Sequence, residues 1–155
     1  MSYKGVNYEP LYRWGYLAAI ALTIAFVAIF QPFAKPPPPN SAAYGCYVAD
    51  GAPSILLDPR GMSILQKSFP RIPFHLERHK TAITLTADAP IQADLVGSRY
   101  FYSMYHPGEG WYIDFQRVEG GRRYGEFNER QLSMFAMLAR DGGEIIYNKA
   151  PFESC

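Results

Sequence analysis

The run His75-Leu76-Glu77-Arg78-His79 places two imidazoles and a carboxylate at alternate positions. On a strand such positions share one face. Two histidines and a carboxylate form a donor set that Zn²⁺ or Fe²⁺ accepts, and His106 is a fourth donor if the chain folds it over. The competing reading is a solvated outer strand face opposite Phe74 and Leu76. Alternate residues on one strand stand about 7 Å apart, which works against three ligands converging on one ion. A tethered metal-binding protein or hydrolase built on His75, Glu77 and His79 is therefore the alternative reading, and no metal ligand is assigned.

Other chemistries leave weaker traces. No G-x-S-x-G elbow surrounds Ser54, Ser63 or Ser103. Gly120-Gly121 and Gly142-Gly143 read as turns rather than phosphate loops, so no cofactor is implied. Acids such as Asp88, Asp94, Asp114 and Glu119 look like ordinary surface carboxylates. Catalytic residues are assigned to none of these positions. Cys46 and Cys155 bracket the C-terminal region, a placement that suits a disulfide in an oxidising compartment. Aromatic density peaks between Tyr100 and Tyr112. Tyr100, Tyr102, Tyr105, Trp111 and Tyr112 are the candidate interaction surface, for docking a protein or stacking on cell-wall glycan. Burial of the same rings in a core is the alternative.

The elements that must position these residues follow from turn spacing. From Tyr44 onward, turn residues recur every eight to twelve positions between short β-branched and aromatic runs. The expected strands are Gly45–Ala49, Ser54–Leu57, Met62–Gln66, Phe74–Arg78 and Ala82–Ala87. Arg99–Tyr105 and Trp111–Val118 read as an antiparallel hairpin across His106–Gly110, extended by Arg122–Phe127. Trp111, Ile113 and Phe115 alternate with Tyr112, Asp114 and Gln116, which predicts a half-buried strand. Asn128 is a candidate cap for a helix carrying Leu132, Phe135, Ala136 and Ala139, stopped by Asp141-Gly142-Gly143. Glu144–Lys149 closes the series. The fold class expected is one N-terminal transmembrane helix plus a small mainly-β (α+β) domain, an antiparallel meander with one C-terminal helix packed on it.

Trp14 to Phe30 carries no charged side chain. With its flanks it approaches the ~20 apolar residues that a bilayer core requires. Tyr12, Trp14 and Tyr16 at one end and Phe30 and Phe33 at the other suit the membrane interface. A cleaved signal peptide is the competing reading, but small residues at the right spacing are missing after the apolar run. Lys4 and Arg13 before the helix favour a cytoplasmic N-terminus. Pro36 to Pro39 favour a stiff polyproline spacer. The expected organisation is a cytoplasmic tail (1–13), a transmembrane anchor (14–33), a Pro-rich tether (34–43) and a β-rich periplasmic domain (44–155) of the cell inner membrane. Of 15 basic and 14 acidic residues, Lys4, Arg13, Lys35 and Glu9 precede Ser41. The 12 basic and 13 acidic residues left give the domain a balance of −1, with no basic face of the kind nucleic acid demands.

This layout resembles, in topology alone, the small accessory subunits of ion-driven envelope motors. Their membrane aspartate has no counterpart between Gly15 and Phe30, and the stretch after Asp88 reads as strands where that family has a helix. No residue role is carried over. The function expected is a non-catalytic, single-pass protein-interaction module or accessory subunit of a membrane complex. Its partners are membrane lipid through residues 14–33 and other envelope or membrane proteins, with no nucleic acid.

Overall fold

The computed structural model describes residues 9–30, 35–104 and 111–155, with side chains in the first segment over 14–26. That segment is the helix α1, Glu9–Phe30. Its one polar side chain between Trp14 and Phe26, Thr23, donates to the Ala19 carbonyl at 2.8 Å, so its hydroxyl is satisfied within the helix. Among the described residues no helix is long and apolar enough to cross a membrane. The side chains of Tyr12, Phe30 and Phe33 lie outside the described residues, whereas Trp14 and Tyr16 are exposed.

Pro37–Cys155 forms a compact unit by itself. Its strands are β1 (Gly45–Ala49), β2 (Ala52–Asp58), β3 (Gly61–Ile64), β4 (Phe74–Arg78), β5 (Ile83–Ala87), β6 (Ile91–Val96), β7 (Arg99–Met104), β8 (Trp111–Glu119), β9 (Arg122–Gly125), β10 (Met134–Leu138) and β11 (Glu144–Ala150). Nine of them form one antiparallel sheet in the order β3-β2-β1-β11-β10-β8-β5-β4, with β9 paired on β8. The sheet curls until its ends meet. Met62 of β3 exchanges backbone hydrogen bonds of 2.8 and 2.9 Å with Ile72, two residues before β4. A small antiparallel barrel results, and closure leaves few unpaired edges.

Alternation fills the barrel. Tyr47, Ile55, Leu57, Leu76, Leu85, Ile113, Phe115, Phe135, Ile145 and Tyr147 are buried. Phe135 lies 5.0 Å from the Tyr47 ring and 5.1 Å from that of Tyr147, spacings at which aromatic quadrupoles attract. β6 and β7 form a separate two-stranded ribbon. It is pinned across one barrel end, by Tyr100 N–H to the Gly51 carbonyl (2.7 Å) and by Arg140 N–H to the Ala93 carbonyl (2.9 Å). The ribbon buries Ile91, Ala93 and Tyr102 against the core and works as a strap.

Three expectations are corrected. The C-terminal helix is absent: a 3-10 turn at Glu129–Gln131 is followed by β10. Asn128 does cap that turn, accepting from Arg130 N–H at 3.1 Å. The stretch is apolar on both strand faces, so helical and strand periods are both present, and the gap between β8 and β11 decides. The hairpin of Arg99–Tyr105 with Trp111–Val118 also fails. β7 pairs with β6, while β8 pairs with β5, β10 and β9. Finally, the folded unit begins inside the expected tether. Pro38 is buried, and the Asn40 amide donates to the Phe74 carbonyl and accepts from Leu76 N–H, each at 3.0 Å. The Cys46–Cys155 disulfide is formed, with Cα atoms 5.8 Å apart, and fixes the chain's last residue to β1.

Candidate functional site

Two surfaces gather the side chains singled out above. The first is the outer face of β4, β5 and β8, built from residues alternating with core positions. Phe74 and Leu76 point inward, so His75 and Glu77 point outward; Leu85 and Ile113 do the same for Thr84, Thr86, Tyr112 and Asp114. Register sets two rows, His75–Thr86–Tyr112 and Glu77–Thr84–Asp114. His75 Nε2 lies 3.0 Å from Glu77 Oε1, and His79 Nε2 lies 2.8 Å from Glu77 Oε2. Hydrogen bonds from His79 and then His75 hold the Glu77 carboxyl below its usual pKa. His75 Nδ1 stands 3.5 Å from Asp88.

This geometry brings the three strand residues together but spends them on each other. Each imidazole Nε2 faces its own carboxylate oxygen, and about half of each side chain remains in solvent. Among the described residues no group of three or more His, Cys, Asp or Glu is placed to hold a metal ion. His106 lies outside the described residues. Deeper in the same face, the Thr84 hydroxyl donates to Asp114 Oδ1 at 2.5 Å. Thr86 Oγ1 is buried without a partner.

The second surface is the strap end of the barrel. Of the five candidate aromatics, the four described residues do not gather on one face. Tyr102 is buried, its hydroxyl 2.7 Å from that of Tyr147. Tyr100 and Trp111 are half-buried and packed against the core, Tyr112 is exposed on β8, and Tyr105 lies outside the described residues. β7 and β8 are not neighbours, so these rings cannot form one ladder.

Tyr100 instead separates two grooves. One, of about 410 Å³, is lined by Gly51, Pro53, Leu65, Lys67, Arg99 and Phe101. The other, of about 480 Å³, is lined by Val48, Asp50, Glu144, Ile146 and Asn148. Above them the strap exposes Leu95, Val96, Phe101 and Met104. Sequence reasoning missed this patch, although Leu95-Val96 ahead of Gly97-Ser98 is a legible hairpin tip. No protein-family model, curated protein or solved structure matches this chain.

The strap's own edge is closed. Gln66 Nε2 donates to the Tyr102 carbonyl, and Gln66 Oε1 accepts from Tyr102 N–H, both at 2.8 Å. Asn40 does the same for β4. In each case a carboxamide stands in for a neighbouring strand residue and blocks addition of a foreign strand. Docking at either edge must therefore use side chains and grooves rather than strand pairing.

Proposed function

We propose that this chain is a membrane-tethered, non-catalytic module that docks another envelope protein with the strap end of its barrel. The observation that carries the reading is the exposed apolar tip of the strap: Val96 and Phe101, 60% and 45% exposed, share its outer face, and Leu95, 46% exposed, lies on the other face beside Tyr100. Exposed apolar side chains gathered on one short ribbon mark an interaction site. One flanking groove carries Lys67 and Arg99; the other carries Asp50 and a Glu144 already paired with Arg123.

An uncharged, aromatic-flanked run from Trp14 to Phe30 supports an anchor in the inner membrane with the domain in the periplasm, and the disulfide agrees with an oxidising compartment.

The test is photo-crosslinking in native membranes with a photoreactive phenylalanine analogue at position 101. One discrete protein adduct, lost on Val96→Asp, is expected. No adduct, or one indifferent to Val96→Asp, refutes the docking reading. Alkaline carbonate extraction checks the anchor separately: the chain should stay with the membrane pellet, and its release overturns the tether.

A further inference from the structure

We propose that the outer face of β4, β5 and β8 binds a neutral glycan, with one sugar ring stacked on Tyr112 and its hydroxyls held by Asp114 and the Glu77–His75 pair. This site is on the barrel wall, distinct from the strap. It rests on register, exposure and an unmet hydrogen bond.

Tyr112 is 57% exposed on a strand whose alternate residues, Ile113 and Phe115, are core, so its ring lies on the outer surface rather than in a cavity. Next to it across the ladder is Thr86, 6% exposed, with an unpartnered hydroxyl. Buried hydroxyls are nearly always paired. The direct neighbours of Thr86 on the same face are His75 on β4 and Tyr112 on β8. Both side chains are about half in solvent, with His75 held between Glu77 and Asp88. A ligand hydroxyl that reaches between the two rings gains the Thr86 hydroxyl as donor or acceptor.

The surrounding groups select the ligand class. Glu77, Asp88 and Asp114 are acceptors already oriented by His75, His79 and Thr84, the arrangement that receives sugar hydroxyls. Three carboxylates on one face disfavour anionic glycans and nucleic acid. A divalent ion would have to displace the imidazole–carboxylate bonds. A peptide strand finds the β4 edge occupied by Asn40. A pyranose matches what remains: a flat face, one exposed ring and acceptors beside it. The site buries one ring at most, so binding is weak, about 1 mM for a short oligomer.

Fluorescence anisotropy with a labelled β-linked N-acetylglucosamine tetramer, on the full chain in a non-glycosidic detergent, tests this. Saturable binding is expected. Tyr112→Ala should weaken it on the order of tenfold and Thr86→Val several-fold. Thr86→Val removes a buried hydroxyl that has no partner, so its near-UV spectrum should match the wild type and its urea midpoint should stay at or above the wild-type value, and folding is not in question. No saturable binding up to tens of millimolar, unchanged binding by Tyr112→Ala, or equal competition by an acidic polysaccharide overturns the proposal. Val96→Asp leaves glycan binding intact, which separates this site from the strap reading.

Discussion

Replacing Tyr147 by phenylalanine should cost the folded unit more than replacing its partner Tyr102, although the two hydroxyls are 2.7 Å apart and both rings are buried. A phenol has one proton to give. The Tyr147 hydroxyl donates to the Pro53 carbonyl at 2.8 Å, so Tyr102 donates to Tyr147. Tyr147→Phe therefore strands two groups, the Pro53 carbonyl and the Tyr102 hydroxyl. The latter is left with only the Met137 sulfur, 3.6 Å away and a poor acceptor. Each stranded group costs about 1–3 kcal/mol. Allowing for the partial exposure around Pro53, the loss should be about 2–3 kcal/mol. Tyr102→Phe removes a donor but leaves Tyr147 its own bond to Pro53, a loss of about 1 kcal/mol. The double variant no longer strands the Tyr102 hydroxyl, so it should fall short of the sum by about 1 kcal/mol. Urea unfolding followed by near-UV circular dichroism reads all three midpoints at a common slope. A Tyr102→Phe loss equal to or larger than that of Tyr147→Phe, or strict additivity, would refute this direction of the chain of hydrogen bonds.

Reduction of Cys46–Cys155, or Cys46→Ser with Cys155→Ser, should lower stability by up to about 4–5 kcal/mol in the chain-entropy account, because the bond spans 109 residues. An unchanged urea midpoint after complete reduction would contradict this. Asn40→Ala leaves Leu76 N–H and the Phe74 carbonyl at the β4 edge unpaired. We expect a loss of about 1–3 kcal/mol and light scattering that grows with concentration, and an unaggregated variant at the wild-type midpoint argues against the cap. Burial raises the phenol pKa values of Tyr47, Tyr102 and Tyr147 in the folded state. Their neutral forms thus contribute stability fully present below about pH 10, the unfolded value, and lost as pH rises above it. Urea midpoints measured from pH 8 to 11.5 should fall only above about pH 10; a flat profile would show that these hydroxyls are not excluded from water as described.

Much of the barrel was legible because side-chain parity is local. Phe74–Arg78 is a strand with the expected bounds, and the alternation of Trp111, Ile113 and Phe115 with Tyr112, Asp114 and Gln116 matches the inward and outward faces observed. The cysteine pair bracketing the region marked the disulfide that forms. His75, Glu77 and His79 do share a face, as the spacing requires, yet whether they meet a metal or each other depends on side-chain geometry that spacing leaves open.

What only the tertiary structure decided was which strands lie side by side. Residues 99–104 and 111–119 look like natural hairpin partners in sequence, but β7 is drawn away to strap the barrel because Tyr102 can reach Tyr147 and Met137 there. Residues 134–138 carry apolar side chains suited to either a helix or a strand, and two waiting strands with unpaired backbone, β8 and β11, settle the matter. The period of a segment is written in the segment itself. Its hydrogen-bonding partners are set by the whole chain competing to satisfy every buried N–H and C=O at once.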